Sequence, residues 1–274
     1  MNDREDPAAL REEIRRLRQV IAALSPDLAT LLRRRGFRVY KHEPPDDLLL
    51  PEAACLDAFY ERLKGYSFRL FLRDVIKFQE GFTPEQVSRL APPPATREYI
   101  SFLLRSRLAH TVAAGYRLIH RPIRSFGPTL EWFLAETCRR EFAAEAIWGV
   151  KFKRSGVGGD YDLLAKIDTS LLYMEVKSSP PKQISTNEIK AFFDRIADLR
   201  PDFAVFFMDT QLRMKDKIVP MFEEELARRG SDLPVVRMVK ELFRAGDRIF
   251  IVNAQNGIAA NLEKVIIWYF QPVA

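Results

Sequence analysis

The stretch GGDYDLLAKIDTSLLYMEVKSS, residues 158–179, constrains this chain most, because it sets charged residues inside two apolar runs. A short polar segment separates the runs, which predicts a β-hairpin. Asp160 and Asp162 open the first strand, and Glu175 and Lys177 close the second. Alternate residues of a strand share a face. Glu175 and Lys177 therefore point the same way, and pairing of the strands would bring Asp162 close to Glu175.

Two neighbouring carboxylates repel each other strongly unless a cation neutralises them. A hard divalent ion such as Mg²⁺ binds through one or two carboxylates, several waters and often a phosphate oxygen. A lysine beside that ion can stabilise or deprotonate a metal-bound water, or neutralise charge on the phosphate. These residue types suit phosphodiester hydrolysis. The other interpretation of Glu175 and Lys177 is an ion pair on a solvated sheet face, which the flanking apolar runs disfavour because buried unpaired charge is costly.

The hairpin lies in a regular alternation of predicted elements over residues 126–274. A helix, GPTLEWFLAETCRREF, and a strand, AEAIWGVKFKR, precede it. An amphipathic helix, TNEIKAFFDRIADLR, and an apolar strand, FAVFFMDT, follow it, and then a helix, the strand DRIFIVNA and a last helix. This order predicts an α/β domain with a mixed sheet.

In this setting, Asp162, twelve further residues and then Glu175-Val176-Lys177 resemble the D…ExK signature of the PD-(D/E)XK, or restriction-endonuclease-like, nucleases. The resemblance covers roughly residues 126–210 and is closest to Holliday-junction-resolvase-like members. It implies an αβββαβ core and a Mg²⁺ (or Mn²⁺) cofactor. It also implies that Lys177 orients or activates the attacking water.

The resemblance further implies a metal-ligating acid on the first helix of the core, beside the ligands Asp162 and Glu175. Glu131 matches that position, and Glu136 is the fallback. The proline that precedes the aspartate in the family is replaced here by Tyr161. Asp160 competes with Asp162 for the metal role, and Asp162 is favoured because it directly precedes the apolar strand.

Residues 43–125 are predicted to form a mainly helical region that ends in a hairpin around Ala114-Gly115. The order of helix, short helix, turn, longer helix and hairpin resembles a winged helix-turn-helix, whose second helix can enter a major groove. Arginines of this region would supply cations for DNA, or they are simply solvated surface residues. They are Arg97, Arg105, Arg107, Arg117, Arg121 and Arg124.

Residues 1–42 are predicted to form amphipathic helices before that region. The spacing of a coiled-coil seam is followed by Leu10, Ile14, Leu17, Ile21 and Leu24. Two heptads are too few to predict a coiled coil from the sequence. The helix would dock on its own domain, or bind a partner protein or a second copy in a homodimer.

The composition fits a globular protein that binds a polyanion. The net charge is +6, although many basic proteins bind no nucleic acid. The two cysteines show no zinc-ligand spacing, and no signal peptide or apolar run long enough to span a membrane is present, so a reducing cytoplasm is the expected compartment. Candidate DNA contacts near the hairpin are Lys151, Lys153, Arg154, Ser178 and Lys182, of which Ser178 could equally cap a turn and Lys182 could be solvated.

The leading hypothesis is a metal-dependent DNA endonuclease, in which residues 126–274 cut and the N-terminal region binds DNA or a partner. The alternative is a catalytically inactive nuclease fold that serves as a DNA-binding regulator or as a scaffold subunit of a larger complex. A third reading is a subunit whose activity needs a partner.

Overall fold

The computed structural model of this chain describes residues 7–42, 47–88, 92–153 and 160–271. Its helices are α1 Pro7–Leu24, α2 Leu28–Arg34, α3 Leu56–Leu63, α4 Tyr66–Lys77, α5 Pro84–Val87, α6 Pro93–Arg105, α7 Gly127–Phe142, α8 Thr186–Leu199, α9 Ile218–Arg228 and α10 Ile258–Phe270. Its strands are β1 Val39–His42, β2 Ala109–Val112, β3 Gly115–Leu118, β4 Glu145–Phe152, β5 Tyr161–Ile167, β6 Ser170–Lys177, β7 Phe203–Met208, β8 Val235–Val239, β9 Leu242–Ala245 and β10 Ile249–Asn253.

Eight strands form one mixed sheet in the order β1-β4-β5-β6-β7-β10-β9-β8. Strands β4, β5 and β6 are an antiparallel meander, and β7 returns through α8 to lie parallel to β6. Strand β10 is parallel to β7, and the hairpin β8–β9 completes that edge. The prediction of an α/β protein with a mixed sheet is confirmed.

Both faces of the central sheet are covered, which explains why its strands read as continuous apolar runs. In β6, Leu172 and Met174 pack in the core beneath α7 and α10. Leu171 and Tyr173 pack in a second core beneath α8 and α9. A strand offers only two faces, and both are covered here. The carboxylates of Asp162 and Glu175 must therefore lie on the same side of the sheet as one of these two cores.

Helices α3 to α6 pack into the same hydrophobic cluster as α7. The hairpin predicted around Ala114-Gly115 is present as β2–β3, and a single bridge joins Phe82 to Tyr116. Gly115 has φ +138°, and a Cβ atom there would lie 2.4 Å from the carbonyl oxygen of Phe82, so only glycine fits. The domain boundaries at residues 42 and 125 remain predictions.

Two parts of the sheet went unpredicted. Strand β1 is short and pairs with β4 at the edge. The hairpin β8–β9 turns at Lys240, which has φ +51° without being Gly, Asn or Asp, so the usual turn signal is missing. Within the part of the chain that the structure describes, no helix is both long and apolar enough to cross a membrane.

Candidate functional site

The register of β5 and β6 places Asp162 opposite Glu175. Leu163 pairs with Met174, and Asp162 and Glu175 are the next residues along. An Asp162 carboxylate oxygen (Oδ2) accepts a hydrogen bond of 2.7 Å from the backbone N–H of Val176. That bond holds the Asp162 side chain across the strand pair, beside the residue that faces it.

Glu175 is 2 % exposed and sits at the centre of a network of cations and donors. One carboxylate oxygen (Oε1) lies 3.0 Å from the Lys177 ammonium. The other (Oε2) accepts hydrogen bonds from the Tyr173 hydroxyl and from Arg195, whose Nη1 is 2.9 Å away. The charge of Glu175 is therefore compensated in spite of its burial.

A third carboxylate reaches Lys177 from the start of α8. Ser185 and Glu188 form a capping box there, in which Glu188 accepts from the Ser185 backbone N–H at 2.8 Å. The second oxygen of Glu188 lies 3.4 Å from the Lys177 ammonium. Burial opposes the positive charge of Lys177, but Glu175 and Asp162 outweigh it and raise the pKa of the lysine. Lys177 thus remains charged near neutral pH.

Asp162 is the residue of the site whose ionised form is disfavoured. Burial first, and the negative charge of Glu175 second, raise its pKa from 3.8 to about 8. Lys177 and the Val176 hydrogen bond act in the opposite direction but do not cancel the rise. An additional cation between Asp162 and Glu175 would remove this penalty, because opposite charge favours the ionised carboxylate.

The other two predicted acids, Glu131 and Glu136, lie on α7. Glu131 is partly buried on α7, whose apolar side chains pack in the core on the opposite face from Tyr173. The fallback Glu136 forms ion pairs with Arg139 and Arg140 at 2.6 and 2.8 Å. Across the described ranges, no group of three or more His, Cys, Asp or Glu side chains could hold a metal ion.

The predicted DNA contacts near the hairpin fall in several environments. Asp160, the alternate metal ligand, forms an ion pair of 3.0 Å with Lys151. Lys153 is exposed at the end of β4, and Ser178 is partly buried just after β6. Lys182 is exposed in the short 3-10 helix Pro181–Gln183.

The remaining predicted DNA contacts lie elsewhere in the chain. Arg97 and Arg105 are exposed on α6. Arg154 falls outside the described residues. Whether these side chains meet DNA remains a prediction.

Sequence reasoning missed Tyr173, Glu188 and Arg195. Tyr173 is two residues before Glu175 and so shares its face, a signal that strand periodicity already contains. The spacing of Ser185 and Glu188 is that of a capping box and predicts the helix start. Nothing in the sequence links Arg195 to Glu175, because that contact depends on how α8 packs on the sheet.

A buried ion cluster lies beside the site, where parallel strands β6 and β7 end. The backbone N–H of Asp209 donates to the Lys177 carbonyl at 2.8 Å. The Asp209 carboxylate binds Arg69 from α4 at 2.8 Å, and it also binds Arg73. The helical region is thereby tied to the strand end that carries Lys177.

No protein-family model and no curated protein matches this chain. Protein VC1899 from Vibrio cholerae superposes with a TM-score of 0.45 at 16 % identity, over 74 % of this chain and 57 % of that one. Can2 from Sulfobacillus thermosulfidooxidans, solved in complex with cyclic tetra-adenylate, superposes with a TM-score of 0.49 at 13 % identity, over 89 % of this chain and 61 % of that one. This chain thus spans about three fifths of each, and neither likeness indicates its activity.

Proposed function

We propose that this protein is a divalent-metal-dependent nuclease that hydrolyses phosphodiester bonds in DNA at the β5–β6 hairpin. The observation that carries the proposal is the placement of Asp162 opposite Glu175, with the Lys177 ammonium 3.0 Å from Glu175. Natural proteins rarely bury two facing carboxylates and a lysine at strand ends without a functional reason, because the desolvation of charge is costly.

Asp162 and Glu175 suit a divalent ion of the magnesium type. Mg²⁺ commonly binds through one or two carboxylates and completes its shell with water and phosphate oxygens. Bound there, Mg²⁺ or Mn²⁺ would polarise the phosphate and lower the pKa of a bound water. The raised pKa of Asp162 fits the same proposal, since burial and the negative charge of Glu175 disfavour the ionised carboxylate and a bound cation would favour it.

Lys177 would act as a fixed positive charge. Glu175 and Glu188 hold its ammonium at 3.0 and 3.4 Å, so it can orient the attacking water and stabilise negative charge on the phosphate. Tyr173 and Arg195 would position Glu175 from the opposite side.

The order of elements supports assignment to the restriction-endonuclease-like fold. From α7 to β7, the chain runs helix, three antiparallel strands, helix and parallel strand, the αβββαβ order that the D…ExK resemblance implies. In the helical region, α4, α5, α6 and the hairpin β2–β3 would form the winged helix-turn-helix, since they follow one another as helix, short helix, longer helix and hairpin. The exposed Arg97 and Arg105 on α6 would contact phosphates.

Cleavage of labelled DNA tests the proposal. The panel contains linear duplex, nicked, flapped, four-way and single-stranded DNA, with Mg²⁺, with Mn²⁺ and with EDTA. The wild-type protein is expected to cut at least one substrate only with metal. Lys177→Ala should slow cleavage by about 10²–10³-fold, the usual loss when a preorganised charge is removed from an active site. The matched control is Lys264→Ala, an exposed lysine on α10, which should cut at the wild-type rate.

One observation favours a second candidate function, a DNA-binding regulator or scaffold without catalysis. Both oxygens of Glu175 already have partners in Lys177, Arg195 and Tyr173, as in a purely structural ion-pair network. This reading predicts that DNA binding is the same with Mg²⁺ and with EDTA. It also predicts that no substrate of the panel is cut.

A further inference from the structure

Helix α1 carries an apolar stripe that the rest of the described chain leaves uncovered. Leu10, Ile14 and Leu17 are 44, 48 and 50 % exposed. All side chains of α1 that the structure describes, residues 10–17 and 20, are exposed, and neither hydrophobic cluster includes any of them. An exposed apolar stripe of this kind indicates a surface that is buried against a partner.

The spacing and the residue types of the stripe select the partner geometry. In heptad terms, Leu10 and Leu17 occupy position d and Ile14 occupies position a. The sequence continues the pattern with Ile21 at a and Leu24 at d. A β-branched residue at a with leucine at d favours a parallel, two-stranded coiled coil over other assemblies.

Charge complementarity points to a second copy of the same helix. The heptad assigns Glu13 to position g and Arg18 to position e. Parallel pairing sets g against e of the partner five residues later, so Glu13 meets the opposite charge of Arg18 in both directions. Antiparallel pairing would instead set e against e and bring Arg11 and Arg18 of the two copies together. The present partner of Glu13 is Arg16 at 3.6 Å, an exposed pair that is exchanged at little cost.

We propose that two copies of this protein dimerise through α1 as a parallel, in-register coiled coil. The helix has 18 residues, about 27 Å, and an isolated helix of that length is marginal in water. The pairing is therefore tested in the whole 274-residue chain. The proposal is independent of the nuclease activity.

Sedimentation equilibrium between about 1 and 100 µM measures the assembly. The wild-type mass is expected to rise from 31.7 kDa towards twice that value with concentration. Leu17→Ser should weaken dimerisation about a hundredfold, because it removes one buried leucine from each helix. Glu12→Ser, on the outward position f, is the matched control and should dimerise like the wild type. The thermal midpoint of Leu17→Ser at low concentration reports that the fold is intact, since Leu17 lies outside both cores.

A cysteine at Leu10 tests the direction of pairing. In a Cys55→Ser background, Leu10→Cys should form an intermolecular disulfide under mild oxidation, because d positions face each other in a parallel pair. In an antiparallel pair, the two cysteines would lie about 16 Å apart along the axis. Glu12→Cys in the same background should not cross-link.

A charge exchange completes the test. Glu13→Arg should weaken the dimer about threefold to tenfold, and the double variant with Arg18→Glu should restore it. A monomeric wild type up to 100 µM would overturn the proposal. So would a dimer that Leu17→Ser leaves unchanged, which would place the interface elsewhere, or a dimer that Leu10→Cys cannot cross-link.

Discussion

Replacement of Asp162 by asparagine is expected to stabilise the protein while it abolishes cleavage. The Asp162 carboxyl faces Glu175, and burial together with that negative charge raises its pKa from 3.8 to about 8. Asparagine keeps an oxygen that can accept the 2.7 Å hydrogen bond from Val176, but it carries no charge. The substitution thus removes an electrostatic penalty and retains the local bond.

The size of the effect follows from proton linkage. Each pKa unit corresponds to about 1.4 kcal/mol, so the rise from 3.8 to about 8 sets an upper limit of roughly 6 kcal/mol. Relaxation of the surrounding protein reduces the electrostatic penalty, and we expect the substitution to raise the free energy of unfolding by about 2 kcal/mol at pH 8. Because the folded-state pKa lies above the unfolded value, the folded protein binds the proton more tightly. Wild-type stability therefore falls as pH rises from about 4 to about 8, and the Asp162→Asn variant lacks that component of the slope.

Urea unfolding in EDTA at pH 5 and pH 8 measures the difference. At pH 8 the variant should be the more stable protein by about 2 kcal/mol, or about 4–8 °C in thermal midpoint. At pH 5 the difference in free energy of unfolding between Asp162→Asn and wild type should be smaller. The control is Asp160→Asn, which removes a carboxylate that is paired with Lys151 and should bring no stabilisation. A variant less stable than wild type at pH 8, or a gain in stability that does not change with pH, would show that the Asp162 charge does not destabilise the fold.

Three further predictions concern other parts of the molecule. Arg195→Met should lower the free energy of unfolding by about 2–4 kcal/mol, measured in urea, because it strips a cation from a buried glutamate 2.9 Å away. Arg69→Met should cost about 3–5 kcal/mol in the same assay, because it breaks a fully buried ion pair with Asp209, whereas a neutral outcome would mean that the pair contributes nothing. Burial raises the pKa of the Cys138 thiol to about 12. Iodoacetamide at pH 8 should therefore modify Cys55 in the folded protein and Cys138 only in urea, as peptide mass analysis would report.

The sequence was sufficient for the hairpin because its information is local. Period-two spacing fixes that Glu175 and Lys177 share a face, and a short connection fixes that β5 pairs with β6. The helix that follows is equally local, since its capping box and apolar stripe are contained in residues 185–199.

The surroundings of the site are not local, and sequence reasoning could not reach them. Arg195 approaches Glu175 from a helix 20 residues away, and Arg69 approaches Asp209 across 140 residues. These contacts depend on how the helices pack against the sheet, and no residue spacing in the sequence predicts that packing. The edge strand β1 and the hairpin β8–β9 were missed for a different reason. They are short, and the turn at Lys240 has no glycine or asparagine to mark it.

Calorimetric titration with Mn²⁺ measures whether the facing carboxylates of the hairpin, Asp162 and Glu175, hold a divalent ion. We expect that wild-type protein binds Mn²⁺ and that Asp162→Asn and Glu175→Gln each abolish the binding. Glu131→Gln, run in parallel, reports whether the acid on α7 is a further ligand. Binding of Mn²⁺ that survives in both Asp162→Asn and Glu175→Gln, or no binding by the wild type, would show that the hairpin is not a metal site.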